Sequence, residues 1–87
     1  MAETDELARV FCRIRDVRTM RRFFDEIFTP TERHNLALRW ELMRRLNRGV
    51  SQRMIVEQLR ISLCKITRGA KILKDGRSVT RRMLNPK

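Results

Sequence analysis

Lys65, Lys71 and Lys74 recur at near-helical spacing in a stretch, residues 51–74, that reads SQRMIVEQLRISLCKITRGAKILK. Arg53 lies upstream of them, and Ser62 and Cys64 occupy further positions expected to be exposed. The chemistry open to this set is contact with nucleic acid. An arginine can pair bidentately with a guanine edge, whereas lysines suit phosphate oxygens as mobile point charges.

Two short helices must position these groups. Counting from Gln52, apolar residues fall at Ile55, Leu59, Ile61 and Ile66, and the compact Val56 falls where two helices would cross. This spacing predicts helices over residues 52–59 and 63–73 with a turn at 60–62, the plan of a DNA-reading helix-turn-helix whose second helix enters the major groove. Arg60 occupies the turn position where positive φ is expected, at a cost of about 1 kcal/mol for a side chain with a Cβ.

The charge supports that expectation. The 87 residues carry a formal net charge of +11. Residues 1–49 hold 11 basic against 8 acidic side chains, whereas residues 50–87 hold 10 against 2. A field concentrated in the C-terminal part attracts polyanions over long range and with strong salt dependence. Cys12, Cys64 and His34 stand far apart with no ligand spacing, so neither a zinc site nor a disulfide framework is expected. No His, carboxylate and nucleophile constellation and no Gly-rich phosphate loop is present, which argues against an enzyme. No apolar run reaches the length of a membrane span, and the acidic start AETDE is unlike a signal peptide; a cytoplasmic protein with reduced thiols is expected.

Apolar residues recur at spacings of three and four nearly throughout, with few Gly, Pro or β-branched residues, which predicts an all-α chain of one domain. Thr4 is expected to cap a first helix bearing Leu7, Val10, Phe11 and Ile14. A second spans residues 18–27 with Met20, Phe23, Phe24 and Ile27 on its apolar face, Phe28 following. Thr29, Pro30 and Glu32 form a capping-box pattern opening a third helix that ends at Gly49. Its apolar residues, Leu36, Ala37, Leu38, Trp40, Leu42, Met43 and Leu46, cover more than half its circumference. That predicts a central helix buried on several sides, in part by a second copy of the chain. Ser51 and Ser62 are expected to cap the next two helices, Asp75-Gly76 to break the fifth, and residues 78–84 to form a sixth. So short a chain has a thin core, which self-association would complete. Residues 1–49 would serve core and dimerisation, 51–74 the helix-turn-helix, and 75–87 a short helix and tail.

From residue 29 to 74 the chain resembles the bacterial Trp repressor family. The matching segments are TPTER at 29–33, Arg39, the L-x-R-G of 46–49, SQR at 51–53, and ITRG at 66–69 followed by Leu73 and Lys74. The resemblance implies an intertwined homodimer of six helices per subunit that binds palindromic double-stranded operator DNA as a repressor. It also implies L-tryptophan, or an indole analogue, as small-molecule corepressor, with no other cofactor and no metal.

Carried over residue by residue, the resemblance places Arg39 and Arg68 on either side of the indole ring, where guanidinium stacking applies, with Arg68 also holding a carboxylate. It puts Thr29 at the carboxylate and Gly69 where the ring nears the backbone. Lys65 and Ile72 line the same ligand site but depart from the family, which has Thr and Ser there. An apolar Ile72 removes an acceptor for an ammonium group, so a ligand preference shifted from free tryptophan toward other flat carboxylates is expected. At the operator face the resemblance places Gln52, Arg53, Ser62, Leu63, Cys64, Lys65, Thr67 and Lys74, with Lys71 added on charge. The expected function is therefore a ligand-controlled transcriptional repressor. The alternatives are a ligand-independent DNA-binding regulator of the same fold and a basic helical adaptor for RNA or protein.

Overall fold

The computed structural model describes residues 3–86, and among these six helices and no strand are present. The described residues divide between His34 and Asn35 into two compact units.

The first unit holds helix α1 (Asp5–Arg13), helix α2 (Val17–Ile27) and the opening turn of helix α3 (Pro30–Asn47). Asp5 and Glu6 in the first turn of α1 and Arg13 in its last complement the helix dipole. Thr4 stands at the N-cap, but its hydroxyl makes no capping hydrogen bond, contrary to the sequence expectation. The reason is its backbone: ψ of 0° is already near-helical, whereas a capping hydroxyl works from an extended residue. The sequence reading missed the cap of α2, where Asp16 is extended and its Oδ2 accepts from the backbone N–H of Thr19 at 2.8 Å.

Edge-to-face aromatic pairs tie these elements together. Phe11 meets Phe23 and Phe24 at centroid distances of 5.6 and 6.0 Å, and Phe24 meets Phe28 at 5.4 Å. The start of α3 is fixed by a reciprocal capping box. The Thr29 N–H donates to Glu32 Oε1 at 2.8 Å and the Glu32 N–H donates to Thr29 Oγ1 at 3.1 Å. Arg33 donates to the carbonyls of Phe28 at 2.7 Å and Asp25 at 3.3 Å, holding the α2–α3 corner. None of the described residues of this unit is fully buried.

The second unit contains the rest of α3, helix α4 (Gln52–Leu59), helix α5 (Leu63–Lys74) and helix α6 (Val79–Leu84). Helix α3 ends as the sequence predicts. Gly49 takes φ of +86°, its N–H donates to Leu46, and the Val50 N–H donates to Arg45, the paired bonds of a Schellman cap. Ser51 caps α4 by accepting from Met54 N–H at 3.2 Å. Ser78, at the N-cap of α6, accepts from Arg81 N–H at 3.0 Å.

The core is Leu42, Met43, Ile55 and Ile66, the two isoleucines having no exposed surface. Leu46, Val56, Leu59, Ile61 and Leu73 pack against it. Within one copy of the chain only Leu42 and Met43 of α3 are buried, while Leu36 and Trp40 are 41% and 44% exposed and Ala37 is exposed. Its apolar residues surround the axis, and one copy of the chain supplies partners for only part of that circumference.

Candidate ligand cavity and nucleic-acid face

Helices α4 and α5 are joined by a turn with one unusual residue. Arg60 ends α4 in the left-handed conformation, φ 53° and ψ 41°, and its N–H donates to the Val56 carbonyl. It is the one described non-glycine residue with positive φ, the strain that the turn position implied. Ile61 then enters the core, and Ser62 opens α5. Ser62 has the extended backbone of an N-cap, but its hydroxyl makes no capping hydrogen bond, unlike the sequence expectation, so the position is met and the bond is not.

The two sides of α5 differ in character. At 100° per residue, Leu63, Cys64, Thr67, Lys71 and Lys74 fall within a stripe of about 100°. All five are exposed, as are Gln52 and Arg53 at the start of α4 and Ser62 between the helices. Arg53 makes only a long ion pair with Glu57, 3.9 Å, and its side chain remains 91% exposed. Lys65 falls outside the stripe, on the side of Arg68, Gly69 and Ile72. All the residues proposed from sequence for DNA are exposed, and of them Lys65 also borders the cavity described next.

That second side of α5 borders a cavity of about 250 Å³. Arg39, Lys65, Arg68, Gly69 and Ile72 all line it. Thr29 belongs to the first unit, where its hydroxyl accepts from the Glu32 N–H and caps α3. Sequence reasoning missed the remaining wall, chiefly Asn35, Leu38 and Met43 from α3. The signal was available, because Asn35, Leu38, Arg39, Leu42 and Met43 follow the i, i+3, i+4, i+7, i+8 rule that puts residues on one helix face.

Gly69 is buried, and its role is visible from what a side chain would strike. A Cβ there would come within 2.9 Å of Met43 Sδ and 3.1 Å of Leu46 Cδ1. The missing side chain therefore lets α5 lie close against α3, which brings Arg68 and Arg39 to a common wall. A chain of polar contacts joins α3 to α4. Glu41 accepts from Arg44 at 2.7 Å and from Arg45 Nε at 2.8 Å, and Arg45 Nη1 donates to Gln58 Oε1 at 2.8 Å, linking α3 to α4. The hydrogen bond from Arg45, and then the nearby Arg44 charge, hold the Glu41 carboxyl below the ordinary glutamate value.

Among the described residues no cluster of side chains could hold a metal ion, and no helix is long and apolar enough to cross a membrane. A family model described as Trp repressor protein matches residues 2–87 of the sequence, so the match extends through the N-terminal helices as well as the α3–α5 region. No match was found among curated proteins or among solved structures.

Proposed function

Because the chain belongs to the Trp repressor family, and so to a family of DNA-binding transcriptional repressors, we propose that its operator binding is controlled by tryptophan or a related indole or aromatic carboxylate ligand held beside Arg39 and Arg68. In this reading α4 and α5 form the helix-turn-helix, and the exposed stripe of α5 with Arg53 reads a palindromic duplex. The family is one of regulators, and no enzymatic step is invoked.

One observation carries the reading. A single helix, α5, has an open face bearing Lys71 and Lys74 and an opposite side that walls a cavity with Arg39. A ligand filling that cavity would touch the helix that meets DNA, so binding at one place alters the position or order of the other. Two guanidinium groups on a largely apolar cavity suit a flat ring carrying a carboxylate.

The homodimer is supported by what each unit leaves uncovered. The first unit buries none of its described residues, with Val17 72% and Ile27 46% exposed. In the second, Leu36, Trp40, Val79 and Met83 are open apolar groups. Apolar area of this kind is covered by association, and a two-fold dimer presents two reading helices to a palindrome. The proposed compartment is the cytoplasm.

Footprinting on selected duplexes, with and without L-tryptophan and indole carboxylates, tests the reading, with sedimentation to fix the oligomer. A dimer protecting a palindrome, with affinity that moves with ligand, is expected. Protection unchanged by any such ligand would favour a ligand-independent regulator. Equal binding to palindromic duplex, random duplex and RNA would favour a basic adaptor.

A further inference from the structure

The first unit carries a run of cations that neither its helix caps nor its aromatic pairs use. Residues 13–22 hold five arginines, Arg13, Arg15, Arg18, Arg21 and Arg22, against one acid, Asp16. All five are exposed. At 100° per residue, Arg18, Arg21 and Arg22 share one stripe of α2, opposite Met20, Phe23, Phe24 and Ile27. Arg13 ends α1, and Arg15 lies in the corner between the two helices. We infer that this row is a second contact surface for the sugar-phosphate backbone of duplex DNA, indifferent to base sequence and separate from the face on α4 and α5. The inference rests on the chain binding DNA, as its family does, and is independent of any ligand at the cavity.

The charges of the row are largely uncompensated. Asp16 offsets one of the five, with its Oδ2 engaged by the Thr19 N–H at 2.8 Å. Glu26 takes Arg22 at 3.6 Å, and Asp25 takes Arg33 at 3.5 Å. Arg13, Arg15, Arg18 and Arg21 enter none of the ion pairs of the described residues. Like charges three and four positions apart destabilise a helix. Arg18 also stands in the first turn of α2, which has no acid of its own and where the helix dipole disfavours a cation. A polyanion laid along this face would relieve both costs.

The residue type points to phosphate. Every Lys/Arg position before residue 35 is arginine, whereas the open stripe of α5 uses lysine. A guanidinium fork pairs bidentately with phosphate oxygens and stays charged at any ordinary pH. Duplex DNA presents one charge per about 1.7 Å of its axis, so a row of this kind meets several phosphates together. A lipid surface would instead call for a free apolar face beside the cations. On α2 that face is taken up in part by Phe11, which meets Phe23 and Phe24.

Fluorescence anisotropy over a salt series tests this with the full chain on a selected duplex, a scrambled duplex and an RNA duplex of equal length. The variant combining Arg15→Gln, Arg18→Gln and Arg21→Gln is expected to flatten the slope of log K against log salt by about two to three units, equally on both DNA duplexes. The matching Arg→Lys variant keeps the charges and should keep the slope. In the unsubstituted chain, scrambled duplex should protect Arg18 and Arg21 from phenylglyoxal, mapped by mass spectrometry. An unchanged slope in the glutamine variant, equal losses in both variants, or a loss confined to RNA would overturn the inference and leave the face on α4 and α5 standing. Absence of DNA binding by the unsubstituted chain would overturn both.

Discussion

Asn47 and Asn85, 38 positions apart in the chain, hold each other by two amide hydrogen bonds of 3.1 Å, one donated in each direction. The pair joins the end of α3 to the end of α6. Helix α6 has six residues, none of them buried, so few other contacts fix it. Asn85 also donates to the Arg81 carbonyl at 2.8 Å, closing the last turn of its own helix. Because the pair is exposed, water competes for both amides. A double-mutant cycle of Asn47→Ala and Asn85→Ala is expected to show a coupling of about 0.5–1 kcal/mol in urea unfolding. Additive losses would mean that the amides contribute separately and that α6 is held by Leu84 and its Ser78 cap alone.

The turn between α4 and α5 carries a removable strain. Arg60 sits at φ 53° and ψ 41°, where a Cβ crowds the backbone. Glycine adopts this conformation freely, although it adds disorder to the unfolded chain. Arg60→Gly is therefore expected to stabilise the chain by about 0.5–1 kcal/mol. The arginine is exposed and forms no ion pair among those present in the described residues, so little is lost with it. A lower midpoint in denaturant would show that the Arg60 side chain contributes more than its backbone costs.

Glu41 gives a pH dependence with a defined sign. Its carboxyl is held below the ordinary value of 4.5, first by the hydrogen bond from Arg45. A depressed folded-state pKa means that the contribution is complete above 4.5 and is lost as pH falls through the lower folded value. Glu41→Gln should therefore narrow the gap in stability between about pH 6 and pH 3 relative to the parent chain, as followed by denaturant midpoints. Identical pH curves for the two proteins would place the acid sensitivity elsewhere, for instance at the Asp16 cap, whose carboxyl is also lowered by its bond from Thr19 N–H.

Local signals made most of the fold legible. Ser51, Thr29 with Glu32, and Gly49 act within three or four residues, so their cap geometry follows from sequence spacing. Thr4 and Ser62 show the limit, since a hydroxyl of the right type at the right place still depends on the backbone around it. Burial of α3 is legible only in part, because periodicity reports how much of a helix is apolar, not whether its own chain or a second copy covers it. At the cavity, Arg39 and Arg68 carried a distinctive pattern, whereas Asn35 and Leu38 look like ordinary helix residues. Gly69 was read as a place for ligand approach, and its contact with Met43 and Leu46 could be seen only once α5 lay on α3.

The sidedness of α5 makes different demands on its cations and on Arg53. Lys74 lies on the open stripe and Lys65 on the cavity side, while Arg53 projects from the first turn of α4 with no close partner. A lysine that neutralises a phosphate contributes to every duplex alike, and its loss removes about one unit from the slope of log K against log salt. Lys74→Ala should therefore weaken specific and random duplexes equally and flatten that slope by about one unit. Arg53→Ala should relax base preference, costing about 1–3 kcal/mol on the preferred duplex and much less on random DNA. Lys65→Ala should leave the slope unchanged in the absence of ligand and act through ligand affinity, because Lys65 lines the cavity with Arg39 and Arg68 and falls outside the open stripe. Fluorescence titrations over a salt series, on a selected and a scrambled duplex, separate the three. A slope that falls equally for Lys65→Ala and Lys74→Ala would mean that both sides of α5 reach phosphates, and the division of this helix into a reading face and a ligand wall would then fail.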